Sequence, residues 1–258
     1  MTVELAGGLG NQIFELAGLY GLATRYHHSP VVSHSILFTQ RRNYWESIFH
    51  LIPNTDTSMI EWSHLHEDNL QVHETLQSKN IKLTGYYQDV HHFSHIRPEL
   101  LQLFSLPPIQ QQKVDEIWSR LPSEPLKIAI HIRRGDYVGL SHFHTNLTLS
   151  YYTTAIKTLD QLLPGSKVYL IFSDDIEWCK REFVGSSYIF MEGNDEVMDL
   201  FLMTKASGYV LANSSFSWCG WYLNPEAYSR PVIAPRNWFR GFSNGILVED
   251  HFTILDEI

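Results

Sequence analysis

Apolar and polar positions along the chain fall into two alternating periods. Within residues 126–137, Ile128, Ala129, Ile130 and Ile132 form a short apolar run, the pattern of a strand covered on both faces. His131, Arg133, Arg134, Asp136 and Tyr137 gather at its carboxyl end, where Gly135 lets the chain turn. The spacing then becomes helical: Tyr152, Ala155, Ile156, Leu159 and Leu163 share one face of a helix expected over 151–163. Strands are expected at 167–172, 187–191, 208–212 and 230–234. An amphipathic helix over 194–206 carries Val197, Leu200 and Phe201, and another helix starts within 213–218. Strands and helices that alternate in this way imply a parallel sheet and an α/β fold.

The first half is patterned less clearly. A short strand at 2–6 leads through Gly7-Gly-Leu-Gly10 into a helix reaching about Tyr26, with Ile13, Leu16, Ala17, Tyr20 and Ala23 on one face. A strand, a glycine turn and a helix start together make an approach site for a phosphate or a sugar, because the first-turn N–H groups point at the loop. No dinucleotide fingerprint is present, since Ile13 stands where a third glycine would be. A strand over 81–87 ends in Gly85-Tyr-Tyr-Gln-Asp89. His91, His92 and His95 lack the further ligands that zinc needs, and no metal is expected. Prolines at 107–108 and within 121–125 bracket a short helix and resemble a domain joint. Two domains are therefore expected, 1–122 and 123–258, with the last residues able to pack back on the first.

Composition narrows the classes. With 258 residues, 44% hydrophobic and 18% charged, the chain suits a soluble globular protein with a sizeable core. A net charge of -9 speaks against a general nucleic-acid binder. Cys179 and Cys219 are the only two cysteines, both in helix-like segments, and read as reduced thiols. Neither a signal peptide nor an apolar run of membrane-spanning length is apparent, so a soluble, cytoplasmic location with no membrane-spanning segment is expected.

The candidate chemistry starts at Arg133 and Arg134. Ligands of open α/β sheets bind beyond the carboxyl ends of the strands. Two neighbouring guanidiniums there suit a multiply charged anion such as a diphosphate. The alternative is a pair of surface charges with Asp136 as a local partner. Consecutive strand residues face opposite ways, so both arginines reach one ligand only if the strand has already ended. Asp174 and Asp175, at the end of the 167–172 strand, suit either a helix cap or an acceptor for guanine N–H groups. Asn213, Ser214 and Ser215 offer a helix start to a second phosphate, or form an ordinary serine-rich cap.

Several segments together resemble the α-1,2-fucosyltransferases, glycosyltransferase family 11. They are His131-Ile-Arg-Arg-Gly-Asp-Tyr137, Gly7-Gly-Leu-Gly-Asn-Gln12, Phe172-Ser-Asp-Asp175 with Trp178-Cys179, and Leu202-Met203 through Ala212-Asn-Ser-Ser-Phe-Ser-Trp218. Gly85-Tyr-Tyr-Gln88 adds a weaker match, and the order is the family's own. The resemblance implies a GT-B fold, two Rossmann-like domains facing across a cleft, the first on the acceptor side and the second binding the donor. It implies transfer of L-fucose from GDP-β-L-fucose, a substrate rather than a cofactor, to the 2-OH of a terminal galactoside, with inversion and no essential metal. By the same resemblance, His131 and Asp174 or Asp175 recognise guanine, Arg133 holds the β-phosphate and Arg134 assists. Asn213, Ser214 and Ser215, with Phe216 beside them, bind the diphosphate or fucose, while Gly8, Gly10, Asn11 and Gln12 close over the sugar.

The sequence departs from the family where Phe-Gln-Tyr-Ala is replaced by Phe14-Glu-Leu-Ala17 and Trp-Trp-Gly by Trp218-Cys-Gly220. The expected base is Asp136, the nearest carboxylate in the motif, and Glu15 is expected to face solvent or a partner. The same donor residues would serve a GDP-sugar transferase acting on protein, core glycan or lipid-linked saccharide. They would also serve a non-catalytic sugar-nucleotide or glycan-binding module.

Overall fold

A computed structural model describes residues 1–34, 42, 44–69, 76, 80–135, 145–238 and 247–256. Asp136 and Tyr137 lie outside these residues. The chain divides into two compact units, Met1–Gln111 and Gln112–Ile258. The division falls earlier than the expected 122/123, inside the helix Pro108–Ser119. The physical reason lies in the second half of that helix. Asp115 takes Lys205 at 2.8 Å, and the Trp118 ring lies 5.7 Å from the Lys127 ammonium, so these residues belong to the second unit.

In the first unit the short strand β1 (Thr2–Val3) runs into helix α1 (Leu9–Arg25). Strands β2 (Ser63–His66) and β3 (Ile81–Thr84) complete a three-stranded parallel sheet in the order β1-β3-β2. Helix α1 is buried on more than the one face that its periodicity marks, because Phe14 also meets Phe93 edge-on at 5.8 Å. Strand β2 has no counterpart in the sequence pattern. Its sequence, Ser-His-Leu-His, buries only Leu65, and its register on β3 makes it a strand. Helices α2 (Arg97–Leu103) and α3 (Pro108–Ser119) follow.

The second unit alternates strand and helix: β4 (Leu126–Ile132), α4 (Leu149–Leu162), β5 (Lys167–Ser173), α5 (Ile176–Glu182), β6 (Tyr188–Phe190), α6 (Glu196–Met203), β7 (Gly208–Val210), α7 (Ser215–Tyr222) and β8 (Val232–Pro235). Three of its helices start on side-chain caps: Thr148 on the Tyr151 N–H, Asp175 on that of Trp178 and Asp195 on that of Met198. The sequence pattern marks no strand beyond β8. A further strand, β9 (Thr253–Leu255), nevertheless pairs with β8, so the chain end extends the second unit's own sheet.

All pairs in this six-stranded sheet are parallel, in the order β6-β5-β4-β7-β8-β9. The chain runs outward from β4 to β6, then returns to place β7 on the other side of β4. This is the doubly wound order, and its reversal point lies between β4 and β7, where ligands of such sheets bind. Beneath that point Ile128, Ile130 and Ile132 pack against Tyr151, Ala155 and Leu159 of α4. Burying each of the isoleucine and leucine side chains here contributes about 1.5–3 kcal/mol.

Candidate active site

Strand β4 ends at Ile132, so Arg133 and Arg134 both leave from the turn and escape the strand's alternation. Each meets a carboxylate from the end of β5. Arg133 Nη1 lies 2.9 Å from Asp174 Oδ2, and Arg134 Nε lies 3.2 Å from Asp175 Oδ2. Asp174 also accepts the Arg134 backbone N–H at 2.8 Å. Asp175 uses its other oxygen to cap α5 at Trp178 N–H, 3.2 Å away. Arg134 is further held by a face contact, its guanidinium carbon 4.0 Å from the Trp178 ring centroid. Gly135 lies close against this carboxylate, since a Cβ there would stand 2.7 Å from Asp174 Oδ2 and would press on the Arg133 partner. The pairs are partly exposed, with side chains between 25% and 37% accessible, so the guanidiniums are oriented without being sealed from a ligand.

His131 precedes this turn and is buried. Burial, and then the Arg133 charge, push its pKa down to about 3, so the ring is neutral at physiological pH. Its Nδ1 is buried and has no hydrogen-bond partner among the described residues. The ring tilts against Phe216 of α7, with centroids 5.2 Å apart. A neutral imidazole packed on an aromatic ring gives that ring a fixed face on which a flat heterocycle can stack. The Tyr152 hydroxyl is buried close to the Arg133 backbone N–H. Cys179 is also buried there as a free thiol, its pKa pushed up to about 11 by burial.

Asn213, Ser214 and Ser215 follow β7 across the reversal point. Asn213 is a strut: its amide donates to the carbonyls of Thr145 and Trp238, both at 2.8 Å. Ser214 occupies the cap position of α7 but makes no side-chain cap bond. The first-turn N–H groups of that helix supply positive potential at the carboxyl end of β7.

The remaining sequence-derived residues lie in the first unit. Gly8 is the cap residue of α1, and Gly10, Asn11 and Gln12 lie in its first turn rather than in a preceding loop. Gln12 is fully buried, donating to Gly7 O at 3.2 Å and Arg42 O at 3.0 Å. Asn11 Oδ1 accepts from Gln88 Nε2 at 3.0 Å.

The expectation that Glu15 faces outward is corrected. It is 0% exposed, and its two oxygens lie 3.1 and 2.9 Å from the Ala6 N–H. Beyond the end of β1 that N–H has no strand partner among the described residues, and Glu15 supplies the acceptor. Burial raises the Glu15 pKa to about 9, opposed by the Ala6 hydrogen bond and assisted by Glu67 and Glu4. His91 pairs with Asp89 at 2.8 Å, and His95 Nδ1 lies 3.4 Å from Arg25. Among residues without a role legible in the sequence, Trp178 and Glu67 are the most engaged. Trp178 has a local signal as the third residue after the Asp175 cap. Glu67 has none, since it grips Tyr86 and Tyr87 from about twenty residues away.

An all-parallel, doubly wound unit with paired arginines at its reversal point, following another parallel α/β unit in the chain, has the GT-B fold. Solved structures with this fold include NodZ alpha-1,6-fucosyltransferase soaked with GDP-fucose, with a TM-score of 0.57 at 13% identity, covering 87% of this chain and 92% of that one. POFUT1 in complex with GDP matches with a TM-score of 0.53 at 11% identity, covering 90% and 98%. The chain belongs to glycosyl transferase family 11, whose model matches residues 1–240.

Among its relatives, the O-antigen biosynthesis glycosyltransferase WbnK of Escherichia coli is 28% identical over 95% of this chain and 97% of its own length. An alpha-1,2-colitosyltransferase of Escherichia coli is 34% identical over 62% of this chain and 57% of its length. The galactoside 2-alpha-L-fucosyltransferase Sec1 of Mus musculus is 26% identical over 86% of this chain and 64% of its length. No helix among the described residues is long and apolar enough to cross a membrane.

Proposed function

We propose that this glycosyltransferase moves L-fucose from GDP-β-L-fucose to the 2-OH of a terminal galactoside, inverting the fucose carbon to give an α-1,2 linkage. The observation that carries the reading is the arginine pair, oriented by Asp174 and Asp175 at the reversal point of the second unit. Charge grows on the β-phosphate as the sugar departs. Guanidiniums already aimed there stabilise that charge without reorganising, and such preorganised charge supplies much of the rate enhancement of many enzymes. Arg133 is the leaving-group residue, and Arg134 holds the turn and adds field. His131 and Phe216 take the guanine, with Asp174 or Asp175 as acceptors for its N–H groups through lone pairs not used on the arginines. Gly8, Gly10 and Asn11 are the first unit's candidate sugar-binding residues, Gln12 holds their turn of α1, and Asn213 holds the segment after β7. The first unit serves the acceptor and the second the donor.

Arginine and helix N-termini supply the positive field, so the reaction needs no essential metal or cofactor. Two buried free thiols fit a reducing compartment, and the cytoplasm is the location this reading favours.

The test incubates the protein with GDP-fucose and galactose-terminated oligosaccharides in excess EDTA, reading GDP release and the product linkage by NMR. An α-1,2-fucosylated product is expected. Activity lost in EDTA and restored by manganese would overturn the arginine mechanism. The colitosyltransferase relative favours a second donor for the same assay, the GDP-linked 3-deoxy analogue of fucose.

A further inference from the structure

Strands β1, β2 and β3 are parallel, so their carboxyl ends meet at one edge of the first unit. The residues following β3 are held there in an unusual conformation. Gly85 has φ +117, and Tyr87, a non-glycine residue, has φ 52. Left-handed backbone at a bulky residue persists only when its surroundings fix it. Three contacts do so. Glu67 accepts the N–H groups of Tyr86 and Tyr87 at 3.1 and 2.6 Å. The buried Tyr87 hydroxyl donates to Leu65 O at 3.0 Å, and its side chain fills the space beside Gly18 of α1.

Fixing Tyr87 inward has an opposite effect on its neighbour. Tyr86 is 44% exposed, a large aromatic ring on a loop that is clamped on both sides. Gln88, next along, reaches Asn11 in the first turn of α1 through Nε2. Among the described residues neither Tyr86 Oη nor Gln88 Oε1 has a hydrogen-bond partner.

We propose that Tyr86 and Gln88 form an acceptor subsite that takes the apolar face of a terminal galactoside. The axial 4-OH of galactose leaves one ring face lined by C–H groups, which stacks on an aromatic ring whose electron-rich face attracts them. Gln88 Oε1 then accepts from a sugar hydroxyl, and the Gln88–Asn11 link connects the subsite to the glycine turn. Charge argues for a neutral ligand. Residues 85–89 carry no basic side chain and include Asp89, and Glu67 grips the same loop, so a diphosphate is disfavoured and an uncharged saccharide is not. The proposal rests on the acceptor assignment above and deepens it by naming the residues.

The experiment compares Tyr86→Ala, Tyr86→Phe and the parent protein, with folding checked by circular dichroism. Saturation-transfer NMR with lactose reads acceptor binding directly, and steady-state kinetics reads KM for acceptor and donor separately. In Tyr86→Ala the lactose signal should fade and acceptor KM should rise about tenfold, while GDP affinity by calorimetry matches the parent. Tyr86→Phe, which keeps the ring, should restore binding. Equal lactose signals in the parent and Tyr86→Ala would overturn the subsite, as would no lactose signal in the parent. Failure of the fucosyl-transfer reading is seen separately, as absence of GDP-fucose turnover with any acceptor.

Discussion

Arg133 and Asp174 face each other at 2.9 Å across the ends of two neighbouring strands. The same carboxylate accepts the backbone N–H of Arg134, so one side chain fixes both the guanidinium and the peptide that follows it. This geometry makes the planar fork of Arg133, and not its charge alone, the feature to test.

Arg133→Lys should behave as a severe loss. Lysine keeps the charge but loses the planar fork that can hold a phosphate at two points. Removing a transition-state charge stabiliser costs about 3–4 kcal/mol, or roughly a hundred- to thousand-fold in rate. The loss should fall on kcat more than on GDP affinity, because charge on the β-phosphate grows during the step. A folded variant with near-normal kcat would remove this turn from the leaving-group site.

Trp178 should act on the reaction through Arg134. Its ring lies 4.0 Å from that guanidinium, and its N–H receives the Asp175 cap. Trp178→Leu keeps the cap and removes the aromatic face, so kcat should drop about tenfold while GDP affinity changes less. Trp178→Phe should recover most of the loss. If Leu and Phe behave alike, the ring merely fills space.

Glu15 should give the protein an alkaline-side weakness. Its pKa is raised from 4.5 to about 9 in the folded chain. Between those values the unfolded chain releases a proton that the folded chain keeps, so stability falls as pH rises. The slope is about 1.4 kcal/mol per pH unit in the ideal case. Glu15→Gln retains an acceptor for the Ala6 N–H and has no proton to lose. Urea midpoints should therefore favour the variant at about pH 8, with the gap narrowing toward about pH 5. Equal gaps at both pH values would mean that Glu15 is ionised in the folded state.

The sequence by itself determined the parallel α/β class, the arginine turn at the end of β4 and the glycine entry to α1. These are local features: an apolar run, a glycine and a helical period all fall within a few residues, and burial acts on each segment in the same way. It also carried enough motif to place the chain in its family. What the tertiary structure decided was long-range. The β6-β5-β4-β7-β8-β9 order, which puts the end of β7 beside that of β4, depends on pairing between distant segments. Arg134 finds Asp174 from forty residues away, where no spacing rule reaches. Strand β2 exists by its register on β3, and the second half of α3 belongs to the second unit through Asp115 and Trp118, ahead of the joint that the prolines within 121–125 suggested. Glu15 shows the reason most directly. Its position on α1 was visible in the sequence, but desolvation depends on everything packed around a group, and only the folded chain brings Ala6, Glu4 and Glu67 to it.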